Sequence, residues 1–149
     1  MAARRGPVDI ARMRDCVCTE LRRAARLVTQ RYDAALRPHG LRATQLPILV
    51  AAAVAGPLSL AALSSRLGME RTTLLRNLRP LARRGLVRVR SSADSRRGEV
   101  CLTDGGRKLL ERAYPAWEAA QQAVLRSVKD SGWKRVLARL ASTGERGNP

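Results

Sequence analysis

The amino-acid sequence predicts a mainly α-helical, α+β domain. Three observations carry this. Long stretches with apolar residues at helical spacing occupy both ends of the chain. Two shorter helical segments meet at Gly68. One run, Leu86-Val87-Arg88-Val89-Arg90, alternates apolar and basic residues as a half-buried strand does. The chain has 149 residues, enough for one domain with its own core, and a single domain over 1–149 is expected.

The elements follow in order. Val8 to Leu36 reads as one long helix: no Pro or Gly interrupts it, and Val17, Leu21, Val28 and Tyr32 recur at helical spacing. Pro38 and Gly40 end it. Thr44 is the expected N-cap of a second helix reaching about Ala55, which Gly56-Pro57 breaks. Leu58 adds a strand of one or two residues. Ser59 caps a short helix, Leu60–Leu67, and Gly68 turns the chain into a further helix, about Glu70–Arg84, stopped by Gly85. Leu86–Arg90 and Val100–Leu102 pair as strands around a hairpin loop, 91–98. Cys101 takes an outward or edge position there. Thr103 caps a helix to about Val128, with a kink expected at Pro115. Asp130-Ser131-Gly132 precedes a last helix, Trp133–Leu140, and a frayed tail from Thr143.

Charge sharpens the reading. Lys and Arg total 29 against 12 Asp and Glu, a formal net charge of +17. Residues 66–100 hold ten arginines against three acids, +7 in 35 residues, while 1–65 carry +6 and 104–149 carry +4. Only three of the 29 basic residues are lysine. Genomic composition is one reading of that bias. The other is that arginine supplies forked contacts to phosphate and guanine. Charge alone implies a polyanionic partner and solubility, not a function.

The helix after Gly68 separates its residues by face. At 100° per residue, Leu74, Leu75, Leu78, Leu81 and Ala82 fall in one arc, and Thr72, Thr73, Arg76, Arg79 and Arg83 fall opposite. Arg76 and Asn77 can contact guanine and adenine edges bidentately, and Thr72 and Thr73 can touch a thymine methyl or a phosphate. Arg71 lies at the helix start, within reach of phosphate. Pro80 removes one helical hydrogen bond and predicts a mild bend. In the hairpin, Asp94 stands two residues before Arg96, next to Arg97, and can orient that guanidinium for the minor groove or backbone. Two helices joined through a Gly turn, then a basic hairpin, form the pattern of a winged helix-turn-helix. The DNA-binding set is therefore Arg71, Thr72, Thr73, Arg76, Asn77, Arg79, Asp94, Arg96 and Arg97, within a 44–103 DNA-binding region. The partner expected is double-stranded DNA. Four aromatic residues in all, none of them Phe, argue against stacking on single strands.

The stretches Leu60–Thr73, Leu78–Val87, Asp94-Ser95-Arg96-Arg97 and Leu102–Gly106 together resemble the MarR family of transcriptional regulators, over roughly Cys18 to Trp117. The resemblance implies a homodimer built from 8–37 and 104–142, and a palindromic operator with half-sites about one helical turn apart. It implies a repressor that lets go of DNA when a phenolic small molecule binds or a cysteine is oxidised. Surplus apolar residues at both ends suit such a dimer interface.

Cys18 also resembles the reactive cysteine of the organic-hydroperoxide-sensing branch. Tyr32 matches one of the three tyrosines around that sulfur, and Arg22 and Ala43 stand at the other two positions. Arg14 and Arg22 flank Cys18 at four residues on either side in a continuous helix, which favours its thiolate. Tyr32 lies about 21 Å along the helix axis from Cys18, so contact requires the other subunit. Cys16 and Cys18 point about 200° apart within a helix, which disfavours a disulfide or shared metal in one chain. The sensing candidates are Cys18, Cys16 and Tyr32. The cysteines also suit a role as small buried hydrophobes.

Other classes receive less support. A non-specific architectural DNA-binding protein would use charge alone. A metal-responsive repressor would use Cys16 and Cys18, with His39 as the single histidine. An enzyme is not expected: there is no Gly-rich phosphate loop, no His-containing triad spacing and no carboxylate cluster. No cofactor and no metal are implied. No signal-peptide pattern, no apolar run of ~18 residues and an odd cysteine count point to a cytoplasmic protein.

Arg96→Ala is expected to weaken operator binding by about 1–3 kcal/mol. Fluorescence anisotropy checks this, and an unchanged affinity removes the wing from the contact set.

Overall fold

The computed structural model describes residues 8–92, 95–128 and 132–145, without the side chains of 91, 92, 95–97 and 143–145. A 3-10 turn, Ile10–Asp15, leads into α1 (Val17–Leu36), and α2 spans Leu46–Ala55. Strand β1 (Leu58–Ser59), α3 (Leu60–Leu67) and α4 (Arg71–Arg83) follow. The hairpin is β2 (Val87–Ser92) and β3 (Ser95–Leu102), and α5 (Asp104–Val128) and α6 (Trp133–Glu145) close the chain. The sheet is antiparallel in the order β1-β3-β2.

One cluster of leucines holds these elements. Leu36, Ile48, Leu49, Leu63, Leu74, Leu81 and Val100 are fully buried, one or two from each of α1, α2, α3, α4 and β3. Leu109 and Ala113 of α5 extend the cluster. Each such side chain removed from water contributes roughly 1.5–3 kcal/mol. The core therefore lies between the DNA-binding region and the inner ends of α1 and α5, and the outer part of α1 stays largely exposed.

The helix-turn-helix angle is set locally. Ser59 starts α3, its Oγ accepting from Ala62 N at 3.1 Å. Gly68 ends it with φ +58, a left-handed conformation that glycine adopts without a Cβ clash. The Gly68 and Met69 N–H groups then bond back to Ser65 O and Ser64 O at 3.2 and 3.0 Å, closing a Schellman motif that aims α4.

A second junction fixes the other end of α4. Thr103 Oγ1 accepts from Gly106 N at 3.1 Å, which caps α5, and its hydroxyl donates to Gly85 O at 2.6 Å. The turn after α4 and the start of α5 are thereby tied through one side chain. Packing there is close: a Cβ on Gly106 would meet Leu86 O at 2.2 Å and a Leu102 methyl at 2.7 Å.

Five expectations are corrected. Residues 8–36 are not one helix: Cys16 is extended (ψ 115) and separates the 3-10 turn from α1. Val8, Ile10 and Met13 are 71–77% exposed. With no core to pack against, a short apolar stretch gains little from continuing a helix. Thr44 does not cap α2. Its hydroxyl goes to Asn77, and buried Gln45 accepts from Arg42 N at 3.1 Å instead. The hairpin strands are longer than predicted: 91–92 and 95–98 are ladder residues, so the loop shrinks to the tip. Cys101 sits on the central strand rather than an edge, opposite Arg88. Helix α6 also reaches Glu145, past the expected frayed end.

Gly106→Ala should lower stability by about 1–3 kcal/mol through overpacking, outweighing the ~1 kcal/mol helix-propensity gain of alanine. Gly105→Ala, whose Cβ would find ordinary contacts at 3.6 Å and beyond, should be neutral or stabilising. Urea unfolding of the two variants checks the difference.

Candidate nucleic-acid interface

Helix α4 presents two distinct faces. Leu74, Leu78 and Leu81 are buried on one side. Arg71, Thr72, Arg76, Arg79 and Arg83 are exposed, and Thr73 is half-buried. The apolar side anchors the helix, so the guanidinium side has nowhere to turn but outward. Thr72, Arg76, Arg79, Pro80 and Arg83 border an open groove along the exposed side. Helix α4 continues through Pro80 to Arg83. Pro80 leaves Arg76 O without its usual helical donor.

Arg71 begins α4 with Glu70 as the preceding, non-capping residue. Among the described residues the ion pair formed is Arg23 with Glu20, 3.8 Å apart on α1. The arginines of α4 therefore carry uncompensated charge. Their forked donors remain available to an incoming acceptor such as phosphate or guanine.

Asn77 stands differently from its neighbours. It is half-buried, its Nδ2 donates to Thr73 O at 2.9 Å, and its Oδ1 accepts from Thr44 Oγ1 at 2.8 Å. Both ends of the amide are engaged: Nδ2 bonds back within α4, and Oδ1 links α4 to the turn before α2. The 340° position of Asn77 on the helical wheel, between the two arcs, is the sequence signal for this intermediate placement.

In the wing, β2 and β3 pair Val87 with Leu102, Arg88 with Cys101, Val89 with Val100 and Arg90 with Glu99, with an irregularity between Arg90 and Ser92. Val87 is buried and Val89 is 44% exposed. Val100, opposite Val89, is fully buried, so the hairpin leaves the core after this third pair. Arg88 and Arg90 are exposed along it. They are basic wing residues absent from the predicted contact set, and the apolar–basic alternation of Leu86–Arg90 was their signal. Arg96 and Arg97 belong to β3 by backbone, but their side chains, like Asp94, lie outside the described residues.

The sensing candidates are dispersed. Cys16 and Cys18 are both exposed at the start of α1. Arg14 lies in the 3-10 turn, before the break, so it does not flank Cys18 at one helical turn. The shifted thiol is Cys16. Thr19's backbone N–H, Thr19's hydroxyl and Cys18's backbone N–H face its sulfur and hold its pKa below the ordinary thiol value. Tyr32 is far along α1, where its phenol donates to Gln121 of α5, and burial raises its pKa. Within one protomer Tyr32 does not meet either cysteine. Among the described residues, no three His, Cys, Asp or Glu side chains converge to hold a metal. No described helix is long and apolar enough to cross a membrane.

A buried leucine face, a protruding arginine face and a basic hairpin define a winged helix-turn-helix DNA-binding protein. The comparisons with known proteins agree. The MarR family model matches residues 39–98. The structure of the transcriptional regulator MosR of M. tuberculosis is 41% identical, covers 89% of this chain and 96% of its own, and superposes with a TM-score of 0.76. MosR in complex with DNA gives 44% identity, coverage of 88% and 95%, and a TM-score of 0.77. The HTH-type transcriptional regulator YwoH of Bacillus subtilis (strain 168) is 26% identical over 111 residues, 74% of this chain and 81% of that protein. The chain belongs to the MarR family of DNA-binding transcriptional regulators, and it is not an enzyme.

Arg76→Ala should leave unfolding stability within about 0.5 kcal/mol, as for an exposed surface residue. It should weaken cognate DNA binding by about 1–3 kcal/mol with relaxed preference at one base pair. Calorimetric unfolding and a base-substitution binding series check the two halves.

Proposed function

We propose that this protein is a sequence-specific repressor that grips a palindromic duplex operator as a homodimer and releases it on a chemical signal. The observation that carries the reading is the exposed, unpaired Thr72–Arg76–Arg79–Arg83 face opposite the buried leucines of α4. Arg71 and Thr73 flank that face. Asp94, Arg96 and Arg97 of the wing are assigned on this reading to backbone or minor-groove contact. Asn77 supports the contact through its Thr44 link, holding the helix in register.

The dimer accounts for apolar surface that one chain leaves bare. Val17 is 61% exposed, Leu27 54%, Val136 57% and Leu137 50%. All four lie on the outer portions of α1 and α6, within the 8–37 and 104–142 segments. A two-fold pairing there buries them and sets the two α4 helices against half-sites about one helical turn apart. The architectural alternative would use the same charge without base preference.

Two features support release. An almost wholly apolar cleft of about 450 Å³ lies between α2 and α5, bordered by Leu46, Pro47, Val50, Leu110, Tyr114 and Trp117, a size suited to a small aromatic effector. The other is Cys16. Its stabilised thiolate attacks a hydroperoxide, the O–O bond breaks, alcohol leaves with a solvent proton, and the sulfur becomes a sulfenic acid. A polar adduct then sits beside Val17 in the dimer surface, with Cys18 two residues away.

The test is anisotropy on the protein's own upstream duplex and a scrambled one, with peroxide and aromatic acids added separately. Tight binding is expected on the first duplex only, and equal affinities would identify the architectural class. Peroxide should release the wild type and Cys18→Ser but not Cys16→Ser. Release of all three by aromatic acids alone assigns the signal to the cleft.

A further inference from the structure

We propose that Arg37 and Arg42 seat backbone phosphates of the operator on the flank of α4 that faces the α1–α2 junction. The inference rests on the DNA-binding reading above and extends its footprint beyond the helix and the wing. A basin of about 510 Å³ lies between that junction and α4, bordered by Asp33, Arg37, Arg42, Gln45, Pro80 and Arg84. Pro80 also borders the groove of Thr72, Arg76, Arg79 and Arg83. The two concavities therefore share Pro80 as a wall on α4, and the basin lies beside the exposed arginine surface.

The basin is electropositive and its floor is fixed. Three arginines against Asp33 leave a formal +2. Asp33 is committed inward: its Oδ1 accepts from Ala43 N at 2.6 Å. Arg84 donates to the carbonyls of Gly40 and His39, holding the junction to the end of α4. Gln45 Oε1 takes Arg42 N at 3.1 Å, and Arg42 O accepts from Gln45 N and Leu46 N. Three separate locks thus immobilise residues 39–43. Arg37, just before this loop, and Arg42, within it, are exposed and make no ion pair among the described residues. A positioned cation on a rigid backbone binds an anion with little ordering of its surroundings.

Arg42 is the more telling of the pair. A cation after α1, as at Arg37, is favoured by the negative end of that helix. A cation at the amino end of α2 is not, and the first turn of α2 carries no acid to compensate. The acid nearest in the basin, Asp33, is already bonded to Ala43 N and forms no ion pair with Arg42 among the described residues, and a phosphate supplies the counter-charge. Contacts of this kind fix orientation and register without reading sequence.

The experiment measures how affinity of the full-length protein depends on salt, on its own upstream duplex and on a scrambled one. The double variant Arg37→Ala/Arg42→Ala removes two exposed side chains, and circular dichroism confirms the fold. Each phosphate contact contributes about 0.9 to the slope of log K against log salt. The double variant should therefore lose about 1–2 in slope, with the same proportional weakening on both duplexes. Arg26→Ala, exposed on α1 away from the basin, should keep the wild-type slope. An unchanged slope in the double variant overturns the proposal, as does an equal loss in Arg26→Ala or an altered base preference. Arg76→Ala separates this from failure of the parent reading. If wild type shows no preference for its own duplex and Arg76→Ala no effect, the regulator reading falls and this inference with it. A normal Arg76→Ala effect beside an unchanged double-variant slope removes the phosphate seat alone.

Discussion

The burial of Leu74, Leu78 and Leu81 is the constraint on which the rest of the molecule depends. Those three side chains fill the centre of a leucine core shared with α1, α2, α3 and β3. Their removal from water contributes several kcal/mol, a large share of a typical domain's net stability. The rotational setting of α4 follows from it. Arg76, Arg79 and Arg83 are pointed at solvent because rolling the helix would expose leucine and bury unpaired guanidinium, which is far more costly. The exposed arginine surface is therefore the reverse side of the hydrophobic core.

What remains is the aim of that helix, which two small junctions define. At its start, Gly68 and the Schellman bonds set the angle to α3. At its end, Thr103 ties the following turn to α5, and Arg84 ties it to the α1–α2 junction. Asn77 and Thr44 add a link in the middle. Polar groups are thus used here chiefly to orient elements, while leucine supplies cohesion. The charge that attracts DNA needs no internal partner, and among the described residues the arginines of α4 form no ion pair.

Much of this was legible in the residues. Helical spacing, glycine stops and one apolar–basic alternation located every helix after Pro38 and both hairpin strands, because each signal is local. The two faces of α4 came directly from the 3.6-residue period. Three kinds of information were not local. Whether Val8–Asp15 continues a helix depends on whether anything packs against it, which spacing does not encode. The extent of β2 and β3 depends on pairing across the tip, where Ser91, Ser92 and Ser95 have no strong strand signature. The partners of Thr44 and Asn77 are 33 residues apart in sequence, so each looked free: one as a cap, the other as a base reader. The same reasoning applies to the thiols. Charge spacing pointed to Cys18, whereas the break in the backbone gives Cys16 the amide environment.

The contact between Gly106 and Leu86 O has a mechanical consequence. With no side chain to act as a cushion, the beginning of α5 rests directly on the peptide that follows α4. Any side chain at that point would wedge the two apart, so the spacing between the first turn of α5 and the end of α4 is fixed by backbone lying on backbone.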